Sequence, residues 1–367
     1  MVDGAAAPYE SPAREALQAF GIGSARLQLV GISENVTFRA DDDSSPQAYV
    51  LRLHRPGYHT LDELNSERVW LEALRSSGIS VPTPVAAPDG RYFVLTDVGH
   101  GETRQVGLNL WAPGEIVGEL LTAHDKSADA TEPAEIAEPF GQLGGLMAAM
   151  HNQAAAWTPP TSFRRHRLDL NGLLGDAPFW GPFWENPVLD ARERDLLIAA
   201  RDHCRERLRR YGEPRRTFSM IHADLHLANL LTHDGRLSVI DFDDAGFGWH
   251  QYDIAVAMFH SRGTADFHAA RQAFLGSYRS VRPIRDDDLS LVPMFELIRG
   301  MAILGWRAQR PEGPAARGPV ARWPARDVPQ RCHLRLRAIA QQQINVGLGC
   351  ADASAHWGRA AHGPQHH

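Results

Sequence analysis

Two hydrophobic rhythms divide the chain. Residues 13–20 suggest a short helix. Apolar and polar residues then alternate in three runs: "ARLQLVG" ending at Gly31, "NVTFRA" ending at Ala40 and "AYVLRLH" ending at His54. Alternation of this kind predicts half-buried strands. The acidic stretch Asp41–Ser45 reads as a hairpin loop between the last two. Over residues 61–76 the spacing changes: the apolar positions Leu64, Val69, Trp70, Leu71 and Leu74 are spaced as in an amphipathic helix. "VPTPV" and "PDG" end that helix. "RYFVLTDV" and "LNLWAPG" are predicted strands, the second leading into a turn at Pro113-Gly114. Beyond it, helices are predicted over residues 138–157 and 190–211, in "YDIAVAMFHS" and "RQAFLGSYRS", and over about 289–308. The pattern describes a β-rich lobe joined by a short hinge to a larger helical lobe.

From Pro311 onward the periodicity fades, and Ala, Arg, Gly, Pro and His dominate. Only Cys332–Ile344 has helical character there. This basic tail reads as a disordered extension or as the product of a frameshift that replaced the last helices.

Composition narrows the function without naming it. With 43% hydrophobic and 22% charged residues the chain is an ordinary globular protein. A net charge of −6 offers no broad attraction for nucleic acid or an anionic membrane. The three cysteines, Cys204, Cys332 and Cys350, are widely spaced and form no CxxC, which argues against a disulfide framework or structural zinc. The N-terminus lacks a signal-peptide pattern, and no apolar run approaches bilayer length, so a cytoplasmic location is expected. Lys126 is the only lysine among 38 basic residues, so phosphate contacts must come from arginine or the backbone.

The chemistry concentrates in "IHADLHLANLLTHDGRLSVIDFDDAGFG", residues 221–248, which holds five carboxylates, three histidines and one asparagine among aliphatic residues. Two readings compete. His222, Asp224, His226 and the Asp241–Asp244 cluster could hold zinc or manganese for hydrolysis. Alternatively, Asp224 accepts a proton from an attacking hydroxyl, while Asp241, at the end of a strand, offers hard oxygen to magnesium. The second division of labour is what phosphoryl transfer needs, and it also makes use of Asn229.

The segment resembles the catalytic core of the aminoglycoside phosphotransferase and choline kinase family. That family's H-G-D-x-H-x-x-N loop appears as His222-Ala223-Asp224-Leu225-His226-Leu227-Ala228-Asn229, and its metal segment as Asp241-Phe242-Asp243. The resemblance implies an α+β, bilobal, protein-kinase-like fold that transfers the γ-phosphoryl group of ATP, with Mg2+, to a hydroxyl. It implies Asp224 as catalytic base, Asn229 and Asp241 as metal ligands, and Asp243 as a helper for a second metal. His222 and Asp253 would brace the loop. Upstream, Gly31, Ser33, Glu34 and Asn35 sit where a phosphate-covering turn belongs. Arg52 stands where kinases carry lysine, and Glu67 where a helix carboxylate orients that cation. The implied domains are 1–107 for the nucleotide-binding lobe, 108–115 for the hinge, 116–310 for the helical lobe and 311–367 for the tail.

The acceptor is less legible. Trp180, Phe183 and Trp184 either line its pocket or pin an insertion to the core. Arg164–Arg167 reads as a solvated face, and Asp286–Asp288 as a solvated cap or part of a pocket for a cation. An amino alcohol, a hydroxy amino acid such as homoserine and an aminoglycoside are the candidate small-molecule acceptors. The "DFDDAGFG" stretch also resembles the bacterial stress-response Ser/Thr kinases, which would make a protein hydroxyl the acceptor. A nucleotide-binding pseudokinase is the non-enzymatic alternative.

Overall fold

The computed structural model describes residues 7–33, 35–42, 44, 46–125, 133–259, 261 and 266–310. These form two compact units. The first contains the described residues up to Glu115 together with Pro159–Arg165 and Leu231–Ile240. The second contains Ile116–Thr158, His166–Leu230 and the described residues from Asp241 onward. Glu34 and the tail from Pro311, with the helix read at Cys332–Ile344, lie outside the described residues.

The first unit is built on helix α1 (Ala7–Ala19) and five strands: β1 (Arg26–Ile32), β2 (Val36–Asp41), β3 (Ala48–Leu53), β4 (Phe93–Gly99) and β5 (Glu102–Leu110). They pair antiparallel in the order β1-β2-β3-β5-β4. Strand alternation sends Val36, Phe38 and Ala40 of β2 and Leu51 and Leu53 of β3 into a core shared with Ala13, Ala16 and Leu17 of α1. Arg52, between Leu51 and Leu53, is half-buried on the opposite face. Helix α2 (Leu61–Ser76) starts at a capping box in which Thr60 and Glu63 satisfy each other's backbone N–H groups, and it buries Leu64, Trp70, Leu71 and Leu74.

The β4–β5 hairpin extends the reading of this region. Only "LNLWAPG" has strand periodicity at sequence level, yet β5 begins at Glu102. The turn is His100-Gly101, with φ of 55° and 79°. Two left-handed residues are what a tight hairpin requires, and a histidine in that role carries no recognisable turn signature. The hairpin of β9 (Leu230–His233) and β10 (Arg236–Val239) turns the same way at Asp234-Gly235, with φ of 48° and 71°.

The chain reaches the second unit through the two-residue strand β6 (Glu115–Ile116) and helix α3 (Val117–Asp125). Helix α4 (Pro133–Ala156) lies along α8 (Phe267–Val281). Gly144 makes the approach possible, because a Cβ there would stand 2.2 Å from the Phe274 carbonyl oxygen. Strand β7 (Arg167–Leu168), helices α5 (Leu170–Leu174) and α6 (Ala191–Tyr211), and strands β8 (Phe218–Ile221) and β11 (Gly246–Trp249) follow, then α7 (His250–Phe259), α9 (Asp286–Leu289) and α10 (Val292–Ala308). The segment Asp286–Ala308 is apolar enough and long enough to cross a bilayer, but its apolar window is 72% buried inside the protein, as in a core helix.

The structure decides between two readings of the insertion's aromatics and corrects two further sequence expectations. Trp180 and Phe183 are buried. Trp180 stacks on Tyr252 and donates to Asp244 Oδ1 at 3.3 Å, so these aromatics pin the insertion to the core. Arg165, read as part of a solvated face, has a fully buried side chain that pairs with Glu67 at 3.3 Å. Asp288 is neither a solvated cap nor free for a cationic acceptor. It is 1% exposed, and its carboxylate accepts from Arg216, Arg285 and the Tyr211 hydroxyl at 2.8–3.3 Å.

Burial opposes ionisation of Asp288, but the hydrogen bonds from Arg216, then Arg285 and Tyr211, outweigh it and hold its pKa below the usual carboxylate value. A lowered folded-state pKa contributes stability above the unfolded pKa of about 4, and this is lost as pH falls through the folded value. Asp288→Asn is therefore expected to cost about 1–2 kcal/mol at pH 7, discounted because both arginines are partly solvated. Thermal melts at pH 7 and pH 3 should show the gap to wild type closing in acid. An unchanged gap would contradict the assignment.

Candidate functional site

Strand pairing brings the two acidic segments together. Gly246 of β11 lies opposite Ile221 of β8. The loop after Ile221 carries His222 to Asn229, and the loop before Gly246 carries Asp241 to Ala245. The two chemical segments therefore meet at one end of a short sheet.

The first loop is held from behind. Asp253, on α7 and 1% exposed, accepts from the backbone N–H of His222 at 3.1 Å and of Ala223 at 2.7 Å. Its Oδ2 also meets His151 Nε2 at 3.1 Å, and His151 Nδ1 meets the Tyr278 hydroxyl at 2.8 Å. His151 stacks on His250, whose Nε2 pairs with Ser219 Oγ at 2.8 Å. Burial pushes the pKa of both histidines down, His250 well below its usual value. His250 is thus a buried structural residue.

Ala223 has φ of 66°. Where the family pattern has glycine, this chain holds an alanine in the left-handed region, which costs about 1 kcal/mol. The bond from its N–H to Asp253 helps to offset that cost. Asp241 also has φ of 66°. Among the described non-glycine residues with positive φ, His100 and Asp234 form hairpin turns, and the other two stand in these loops. Strain of this kind gathers where a site fixes its side chains. The twist at Asp241 also explains why β10 ends at Val239, two residues before the expected strand end.

Asp224 stands at the centre of the first loop, with its side chain one-quarter exposed. Its backbone N–H donates to His222 Nδ1 at 3.3 Å, which requires that nitrogen to be unprotonated. Asn229 Nδ2 donates to the Asp224 carbonyl at 2.9 Å and approaches Oδ2 at 3.3 Å, so Asn229 Oδ1 could serve a metal ion. His226 Nε2 lies 3.5 Å from Asp224 Oδ2. Oδ1 receives Arg299 Nη2 from α10. Burial would raise the Asp224 pKa, but Arg299 foremost, and then His226 and His222, hold it well below the usual range. Burial likewise works against the Arg299 charge, and Asp224 beside it prevails.

In the second loop, Phe242 is 1% exposed and its ring lies 4.6 Å from that of His222, tying the loops together through a buried contact. Asp241 and Asp243 are half-buried on either side of it. Asp241, Asp243 and Asn229 offer hard oxygen and no thiol, a donor chemistry that suits magnesium better than zinc.

The expected nucleotide residues lie in the first unit. Gly31 follows a bulge in the β1–β2 register, and a Cβ there would meet open space. The Ser33 N–H donates to the Asn35 carbonyl at 3.0 Å. The side chain of Asn35 is buried and turns inward to accept from the Arg55 N–H at 2.8 Å, so it pins this turn. Arg299 and Arg165 were missed at sequence level. Each sits in a stretch whose local pattern already had a plainer explanation, an apolar helix and an arginine run.

Comparison with known proteins places this geometry. Residues 27–285 match the model of the phosphotransferase enzyme family APH. An uncharacterized protein of Deinococcus radiodurans is 30% identical over 301 residues, covering 80% of each chain. A solved structure of a microcompartment-associated aminopropanol kinase is 30% identical with a TM-score of 0.71, covering 91% of this chain and 94% of that one. An amicoumacin kinase solved with AMP-PNP, Ca2+ and its antibiotic has the same fold, at 19% identity and a TM-score of 0.68, covering 93% of this chain and 96% of that one.

Proposed function

Because the chain belongs to the phosphotransferase enzyme family, we propose that Asp224 is the base in its transfer of the γ-phosphoryl group from ATP to the hydroxyl of a small molecule. The observation that carries this reading is the fixed Asp224–Asn229 pair on a loop anchored by Asp253. Family membership argues against the metallohydrolase alternative, and the similarity to an aminopropanol kinase favours a small-molecule acceptor over a protein hydroxyl.

The step balances simply. The acceptor hydroxyl gives its proton to the Asp224 carboxylate, its oxygen forms a bond to the γ-phosphorus, and the β–γ bridging P–O bond breaks to release ADP. Such a transition state is loose, and its proton moves late. A base of low pKa therefore serves mainly to aim the hydroxyl, and the Asn229 and Arg299 contacts keep the Asp224 carboxylate in place for this. Asn229 Oδ1, Asp241 and Asp243 would hold Mg2+. The ion would neutralise phosphate charge. We assign Gly31, Ser33 and Glu34 to phosphate contact through backbone and polar groups, and Arg52 to the α- and β-phosphates, with Glu67, which also pairs with Arg165, as the helix carboxylate that orients Arg52. Residues 1–107, 108–115 and 116–310 are the corresponding lobe, hinge and lobe of a cytoplasmic enzyme, where ATP and Mg2+ are at hand. The acceptor class we favour is an amino alcohol or hydroxy amino acid. The similarity to an aminopropanol kinase supports this, and so does the engagement of Asp288, which removes one acid from any pocket for a polycation.

An ADP-release assay across amino alcohols, hydroxy amino acids, aminoglycosides and a generic protein substrate tests the reading. Turnover is expected with a small hydroxyl compound and Mg2+. In Asp241→Ala the Mg2+ concentration for half-maximal rate should rise about tenfold or more. No acceptor-dependent ADP release, or an unchanged Mg2+ titration, would overturn the respective assignment.

A further inference from the structure

Arg299 belongs to none of the loops that carry the reaction. It projects from α10, 75 residues after Asp224, and its Nη2 meets Asp224 Oδ1. Its side chain is 11% exposed, so the guanidinium stands away from bulk water. The charge is surrounded: Tyr252 of α7 and Asp244 of the metal loop lie close enough to interact with it. Tyr252 is itself locked between the Trp180 ring, stacked at 5.8 Å, and the Phe295 ring at 6.4 Å. An arginine held by packing on one side and by the base on the other has little freedom to leave.

The two oxygens of Asp224 consequently face different groups. Among the described residues, Oδ1 is engaged by Arg299, while Oδ2 has the looser approaches of Asn229 at 3.3 Å and His226 at 3.5 Å. A carboxylate attached at one oxygen alone could rotate about its χ2 bond, which is broad for aspartate. Attachment on both sides fixes its plane.

We propose that Arg299 is a positioning residue for phosphoryl transfer: it occupies Oδ1, sets the plane of the Asp224 carboxylate and leaves Oδ2 as the atom that receives the acceptor hydroxyl. The inference rests on Asp224 being the base. It assigns α10, a helix whose sequence otherwise reads as core, a direct part in aligning the reaction. An error of about 1 Å in that alignment costs on the order of 10²-fold in rate.

The test compares wild type with Arg299→Met and Arg299→Lys. In Arg299→Met, kcat is expected to fall about 10²-fold while KM for ATP changes less than about twofold. Free guanidinium at tens of millimolar should restore part of the loss. Arg299→Lys keeps the charge and the packing stem but lacks the planar fork. It should fall between the two, and it carries the test if the methionine variant does not fold. A kcat within about threefold of wild type in both variants, or a loss confined to KM for ATP, overturns the proposal. Crystal structures of wild type and Arg299→Lys give a readout independent of turnover. A turned or doubled Asp224 carboxylate in the variant supports the inference, and an unmoved one refutes it. That comparison decides the place of Arg299 even if wild type phosphorylates no hydroxyl, an outcome that would count against the proposed function instead.

Discussion

Asp224→Asn is expected to lower kcat by about 10²–10⁴-fold while leaving nucleotide affinity within a few-fold of wild type. The substitution keeps the shape of the side chain and removes only its charge and its capacity to take a proton. Asn229 can still donate to the backbone carbonyl of residue 224, so the loop keeps its main anchor. The carboxylate plane loses its ion pair with Arg299, which then faces a neutral amide. That leaves a mostly buried guanidinium without its counter-charge, so a fall in stability should accompany the fall in rate. The two effects separate by measurement: single-turnover transfer reports the chemistry, and nucleotide titration by calorimetry reports binding on protein shown to be folded by its melt. Near-normal turnover in the folded variant would remove Asp224 from the role of base.

Asp253→Ala is the second large effect, and it acts through architecture. Asp253 touches no reacting atom. It accepts from two consecutive backbone N–H groups and from His151, all in the interior. Alanine would leave those donors without an acceptor, at about 1–3 kcal/mol for each buried group, so a total of about 3–5 kcal/mol is expected. That corresponds to roughly 10 °C in Tm for a chain of this size. Release of Ala223 from its bond also lets the left-handed residue relax, which moves Asp224 directly after it. Activity should therefore fall further than the folded fraction does. Asp253→Asn keeps an acceptor oxygen and should recover part of both losses. If Asp253→Ala melts like wild type, the bracing role is wrong.

The comparison of sequence with structure has a physical pattern. Helix α2 was legible to the residue because its apolar spacing and the proline-rich stretch that follows are both local. The strands of the first unit were legible for the same reason, up to the β4–β5 hairpin, where the turn uses a histidine in a glycine-like conformation. The site divides along the same line. Asp224, Asn229 and Asp241 stood out because they match a motif of fixed spacing, and the structure places Asp224 and Asn229 within hydrogen-bond reach of each other on one loop.

Arg299, Arg165 and Asp288 could not be picked out. Each is a charged residue with a partner far along the chain: Asp224 for Arg299, Glu67 for Arg165, and Arg216 and Tyr211, beside the nearby Arg285, for Asp288. A lone charge in a sequence reads as solvated, because solvation is its least costly state. Burial becomes tolerable only when the fold supplies the counter-charge, and a local pattern carries no trace of that supply. The sequence by itself determined most of the elements and the motif that marks the family. The tertiary structure alone decided which charges go inside, and so which arginine meets Asp224, because that choice depends on desolvation being balanced by a partner brought in from elsewhere in the chain.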